Sequence, residues 1–290
     1  MEHVLHEMKP ALQRSVVAIT GIRVGDPIMR VYGTGTLFRV AECSFLVTAA
    51  HVMQQYARNE CELYISDLGG NDGGDRAVPL WGHAIQYSDA RLDVGLLELP
   101  PDVESAIPHR RFLNLANVDL QRNIRPGMFA LFGYPVETCP PDAPIRTIRL
   151  APFTFLTGLY SGATEGLADY HPDLHFLLHI PRENTTTLEG SSKPRPDKFF
   201  GMSGCSLWRI CSADDNLARW CPDCAKVVGV QRSAYNEGKQ RHTIVKGIRW
   251  AAVAAILWIT YPDLRPAMRV SHPDLDDELP QLASLVSSLS

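Results

Sequence analysis

Three short stretches of this sequence carry residue types that can do nucleophilic chemistry together. His51 closes the run Phe45-Leu-Val-Thr-Ala-Ala-His51, Asp93 opens Asp93-Val-Gly-Leu-Leu97, and Ser203 stands between glycines in Gly201-Met-Ser-Gly204. A serine hydroxyl is a weak nucleophile at neutral pH and needs a base to take its proton. A histidine near its ordinary pKa can take that proton and later return it to a leaving amine. A carboxylate on the far ring nitrogen fixes the tautomer and stabilises the imidazolium that forms. Glycines beside the serine let the backbone turn sharply, so that amide N–H groups can face a developing oxyanion.

Each residue has a plainer competitor. Asp89 lies four residues before Asp93, but the apolar run after Asp93 favours the latter as the carboxylate, leaving Asp89 in a loop. Ser206 is close to Ser203 but lacks the flanking glycines. The other nine histidines are expected on the surface or in the core.

These residues must be held by strands. Ser15 to Thr20, Val31 to Val40, Ser44 to Thr48 and Val94 to Leu99 are apolar or β-branched runs of strand length. Met128 to Phe132, Arg146 to Gly158, Leu174 to Ile180, Ser206 to Ile210 and Val227 to Gln231 follow in the second half. Asp67 to Asp75 is glycine-rich and reads as an exposed loop. Many short strands with Gly, Pro and Asp punctuation predict an all-β barrel or sandwich. Ala50 to Ala57 reads as a brief helix, and Arg249 to Thr260 as an amphipathic helix packed on the core. The mixed segment Pro108 to Pro126 is the natural link between two all-β halves, and residues after Pro262 read as a surface tail.

Composition narrows the partners. A formal net charge of -4 offers no basic field for nucleic acid or an anionic membrane. The apolar run Trp250 to Tyr261 is too short for a bilayer, which takes about 20 residues. The N-terminus lacks the pattern of a secretory signal, so a cytoplasmic location is expected. Seven cysteines without such a signal argue for reduced thiols rather than a disulfide framework. Cys221-Pro-Asp-Cys224 with Cys211 upstream has the look of half a structural zinc site, with Cys205 or a histidine as the fourth ligand.

Taken together, the three motifs resemble the trypsin-like serine peptidases of the chymotrypsin superfamily, in the family's order of His, Asp, Ser. Gly33-Thr-Gly-Thr-Leu-Phe38 is similar to the strand lead-in of bacterial members, and Gly133-Tyr-Pro135 and Val228-Gly-Val230 fall at matching places. The resemblance covers roughly Ser15 to Leu257. It implies a double β-barrel of chymotrypsin/trypsin type with a C-terminal helix, with an N-terminal barrel over 12–107, a C-terminal barrel and helix over 127–261, and a tail over 262–290. It implies His51 as general base, Asp93 as its carboxylate, Ser203 as nucleophile, and the Gly201 and Ser203 amides as the oxyanion hole. No cofactor is required for that catalysis, and the partner is a peptide or protein substrate. Asp197, six residues before Ser203, would form the base of the primary pocket and favour Lys or Arg at the cleaved position. Arg232, Ser233 and Ala234 would line its wall, with Arg232 either neutralising Asp197 or recruiting an acidic substrate. Two departures stand out: Cys205 replaces a glycine after the motif, and Met202 replaces the residue that receives a new N-terminus in zymogens. They leave room for a protease-like binding domain, idle or switched on by a regulatory protein.

Overall fold

In a computed structural model of the chain, nearly every expected strand forms, and the strands assemble into two antiparallel sheets. The structure describes residues 2–58, 60–68, 76–80, 85–89, 91–121, 123–142, 147–180, 184–186, 192–194, 199–212, 215, 219–236, 242–273 and 277–289. The expected loop over 67–75 and Asp197 lie largely or wholly outside them.

The first sheet is built from β1 (Val16–Arg23), β2 (Asp26–Val40), β3 (Cys43–Thr48), β4 (Cys61–Asp67), β5 (Arg76–Pro79), β6 (Ile85–Asp89) and β7 (Val94–Leu99). Its spatial order is β5-β4-β1-β2-β3-β7-β6. The second half contributes β8 (Gly127–Gly133), the short pair β9 (Pro141–Asp142) and β10 (Thr147–Ile148), β11 (Phe153–Thr157) and β12 (His175–His179). A second short pair, β13 (Asn184–Thr186) and β14 (Ser192–Pro194), precedes β15 (Ser206–Ser212), β16 (Lys226–Asn236) and β17 (His242–Arg249). The second sheet runs β11-β8-β15-β16-β17-β12. This is the all-β arrangement of two antiparallel sheets followed by a C-terminal helix that the motifs implied.

Strand side chains alternate between faces, and here both faces are buried. On β8, Phe129 and Leu131 join a cluster enclosed by the second sheet, while Ala130 and Phe132 join a larger cluster shared by both halves. On β3, Leu46 faces a cluster enclosed by the first sheet, and Phe45 and Val47 face the shared one. Burial on both faces explains why these strands read as continuous apolar runs. The link between the halves is stitched down at both ends. The Leu113 N–H donates to the Leu37 carbonyl at 2.9 Å, and the Asp119 N–H donates to the Val227 carbonyl at 2.8 Å.

The helices depart from expectation in three ways. The N-terminal residues form α1 (Glu2–Ser15), whose Val4, Met8 and Leu12 sit in the shared core at four-residue spacing. After α2 (Ala50–Ala57) and α3 (Pro101–Ala106) comes α4 (Trp250–Thr260), which is not amphipathic. Every residue from Trp250 to Trp258 is buried, because the second sheet covers one side and the chain's own C-terminal helices the other. Trp250 meets Phe38 edge to face at 5.2 Å. The third departure corrects the surface tail. Residues after Pro262 fold into α5 (Arg265–Ser271) and α6 (Glu278–Leu289), and Leu264, Met268, Leu279 and Val286 are buried in the shared core. Without them the far side of α4 would be bare apolar surface. Among the described residues, no helix is long and apolar enough to cross a membrane.

Candidate active site

The short helix α2 begins just after β3 with no side-chain cap of its own, since Ala49 occupies the cap position. Its first amides are satisfied from outside by Asp93. The Ala50 N–H donates to the Asp93 carbonyl at 3.1 Å, and the His51 N–H donates to Asp93 Oδ1 at 3.0 Å. The same carboxylate receives the imidazole, with His51 Nδ1 at 2.9 Å from both Oδ1 and Oδ2. One aspartate thus caps the helix that carries the histidine and orients its ring. Asp93 is 8% exposed and adopts φ 62, in the left-handed region, which aspartate tolerates better than most residues. The strand pairing around it holds that conformation, with Val94 opposite Asp89 and Gly95 opposite both Thr48 and Ser88. The His51 side chain is 47% exposed, so the ring is anchored at Nδ1 and open to solvent.

The Ser203 turn comes from the other half and is held by one residue of β2. Thr34 donates its N–H to the Ser203 carbonyl at 2.9 Å and its hydroxyl to the Gly201 carbonyl at 2.7 Å. The Thr34 hydroxyl accepts the Tyr134 N–H at 3.1 Å, and its carbonyl accepts the Thr48 hydroxyl at 2.7 Å. Thr34 is fully buried, and these four bonds tie the serine turn to the segment leading into His51. In the sequence its motif stands out only as a strand lead-in.

The two glycines are required by space as well as by dihedral angle. Gly201 and Gly204 have φ of 86 and 84. A Cβ on Gly204 would sit 2.1 Å from Thr48 Oγ1 and 2.3 Å from the Thr34 carbonyl, and one on Gly201 would sit 2.4 Å from the Tyr134 carbonyl. Within the turn, the Met202 and Cys205 amides bond back to the Phe199 and Met202 carbonyls, and the Gly204 amide bonds to the Gln231 carbonyl. Among the described residues no acceptor takes the N–H of Gly201 or Ser203. Those are the two amides expected to face an oxyanion.

Cys205 leaves the turn continuous with β15. Its side chain is fully buried in the second sheet's own cluster beside Met202 and Phe199, and burial pushes the thiol pKa far up, so it behaves as an inert apolar residue. Ser206 is fully buried and accepts the Trp208 indole N–H at 2.8 Å, a structural role.

His51 and Asp93 are therefore brought into contact, and the Ser203 turn is clamped to the same segment. The Ser203 hydroxyl makes no hydrogen bond to His51. Unliganded sites often leave this bond long until substrate closes it. Of the residues implied for the pocket, Ala234 packs at the edge of the second sheet's cluster, and Arg232 reaches the loop at Asp169. The proposed metal ligands do not converge. Cys221 and Cys224 are exposed thiols with sulfurs 3.5 Å apart, whereas Cys211 is buried on β15. Among the described residues no three His, Cys, Asp or Glu side chains are grouped to hold a metal.

No protein-family model matches the sequence, and no curated protein is similar to it. Among solved structures, the chain is similar to the HtrA-type protease AlgW with decapeptide, at TM-score 0.49 and 12% identity over 88% of this chain and 67% of that one. A variant of AlgW with decapeptide gives 0.47 and 13% over 88% and 65%. A structure concerned with aromatic interactions in the coupled folding and binding of the intrinsically disordered Sesbania mosaic virus VPg protein gives 0.39 and 16% over 83% and 88%. This chain thus spans about two-thirds of the length of AlgW. At such identities and TM-scores, the case for the site stands on the geometry of this chain.

Proposed function

We propose that the chain is a serine endopeptidase. The observation that carries this is the His51 imidazole, held through Nδ1 on the Asp93 carboxylate and otherwise open, with a serine turn clamped to the same segment whose two amides have no acceptor among the described residues. In the proposed reaction, Ser203 Oγ attacks the scissile carbonyl carbon while its proton passes to His51 Nε2. The carbonyl electron pair moves onto the oxygen, which takes hydrogen bonds from the Gly201 and Ser203 amides. Collapse of this intermediate breaks the C–N bond, and His51 gives its proton to the leaving amine. Water then repeats the sequence on the acyl ester, restoring Ser203. Every step uses side chains and amides of this chain, with no cofactor.

The substrate strand has a natural edge. β15 ends its pairing with β16 at Ser206 opposite Val230, so from Arg232 onward β16 pairs with β17 alone. An extended peptide can add there as a strand, a common mode of peptide capture.

Labelling of the purified chain by a fluorophosphonate, lost in Ser203→Ala, is the expected result. A folded wild type that is neither labelled nor active on a broad peptide library would refute the proposal. The missing hydrogen bond between Ser203 and His51 favours one second reading, a peptidase assembled by a protein partner. In that case labelling appears only after cell lysate is added.

A further inference from the structure

β16 leaves the serine turn carrying charge. Gly204 and Cys205 bond to Gln231, and the next residue of the strand is Arg232. One position further on, Ser233 pairs with Lys246 of β17, about 7 Å along the strand from Gln231. Lys246 is only 2% exposed, yet among the described residues its ammonium meets no carboxylate at hydrogen-bond distance. Two of its three N–H donors go to the Ala168 and Asp169 carbonyls, at 3.0 and 3.2 Å, and the cation lies 5.0 Å from the centre of the Tyr235 ring. Arg232 reaches the same loop, with one guanidinium nitrogen 3.4 Å from the Asp169 carbonyl and another 3.7 Å from its carboxylate. That carboxylate is the one anion within 4 Å of Arg232 among the described residues, and it is 76% exposed.

Two cations therefore act on one solvated carboxylate, from strands that run on from Gln231, the residue bonded to the Ser203 turn. Burying an ammonium on backbone carbonyls alone is costly, and an anionic ligand offsets the cost. The Lys246 pKa is lowered to about 8, chiefly by burial and then by Arg232, while Asp169 and Asp93 act in the opposite direction. Protonated Lys246 is therefore in excess at neutral pH, held by neutral carbonyls and a ring rather than by a paired carboxylate among the described residues.

We infer that the site selects peptides with an acidic side chain next to the cleaved bond, and that Lys246 and Arg232 read that side chain. This rests on the peptidase proposal above and names the substrate class of the same site. It runs against the Lys/Arg preference that Asp197 would confer, a residue outside the described ones.

The test uses the full chain and end-blocked peptides differing only in Glu, Gln or Lys before the scissile bond, with cleavage followed by mass spectrometry. Fluorophosphonate labelling is run in parallel. The Glu peptide is expected to exceed the Gln peptide in kcat/KM by about 10- to 100-fold, the range for a hydrogen bond to a charged group. Lys246→Met is expected to bring that ratio close to one. Arg232→Glu, on a less buried residue, is expected to invert the preference toward the Lys peptide. A Gln peptide carrying a free terminal carboxylate tests that other source of the same charge. Should it alone be favoured, recognition of the side chain is wrong. A labelled chain that cleaves Gln or Lys peptides as well as Glu overturns the inference and leaves the peptidase standing. A chain neither labelled nor active overturns both.

Discussion

Acid should unfold this protein in part through one buried histidine, His175. Its Nδ1 accepts the His171 backbone N–H at 3.0 Å, so a second proton there would set one N–H against another. Its Nε2 is buried with no hydrogen-bond partner among the described residues. Burial, followed by the charges of Lys246 and Arg232, lowers its pKa from 6.5 to about 3. As pH falls through 6.5 the unfolded chain takes up a proton that the folded chain refuses, so stability present above that pH is lost on acidification. The loss continues down to the folded pKa at about 1.4 kcal/mol per pH unit. Between about pH 7 and about pH 4.5 this amounts to about 3 kcal/mol, a sizeable share of the 5–15 kcal/mol typical of a domain. The assay is urea unfolding followed by tryptophan fluorescence, for wild type and for His175→Asn, whose amide oxygen can still accept the His171 N–H. Carboxylates contribute equally to both proteins and cancel in the difference. The variant is expected to lose about 3 kcal/mol less than wild type over that range. A wild-type-minus-variant difference that stays level with pH would refute the reasoning.

Three further outcomes follow from the packing. Thr34→Val keeps the shape of the residue but orphans the Gly201 carbonyl and the Tyr134 N–H, which it now satisfies. It should cost about 2–4 kcal/mol in urea unfolding and slow fluorophosphonate labelling of Ser203 more than a substitution of equal cost in α1. Leu279→Ala in α6, at 1% exposure, should cost about 2–5 kcal/mol. Val270→Ala in α5, at 84% exposure, should stay within about 0.5 kcal/mol.

What was legible in the sequence was whatever repeats a local rule. Strands such as β3 and β7 announce themselves because both of their faces are buried, leaving unbroken apolar runs. α2 was legible to the residue, since it sits between a strand end and a break in the pattern. His51 and Asp93 stood in tight local contexts, and their pairing is observed. α1 was overlooked because its apolar residues are few and spaced among His, Glu and Lys, with Pro10 inside. The last two helices were hidden for a related reason: Pro, Asp and Ser dominate their surroundings, and their leucines earn burial only by covering α4. Lys246 was invisible in a different way. Within His242-Thr-Ile-Val-Lys-Gly-Ile-Arg249 a lysine reads as the solvent side of a strand, and only the loop at Ala168 and Asp169 turns it inward.

Thr34 also ties the assembly of the site to the order of synthesis. His51 and Asp93 both lie within the first hundred residues, and their contact joins α2 to the residue before β7. Ser203 is made about a hundred residues later, and its turn takes its shape from Thr34, Thr48 and Gln231, contributed by both halves. On the peptidase proposal, a growing chain therefore carries His51 long before Ser203 is there to be activated. By the time Gln231 is available to hold the turn, every strand of the first sheet has been made, since the last of them ends at Leu99. The clamp thus makes the serine turn the last part of the site to be completed, after the second half has been made.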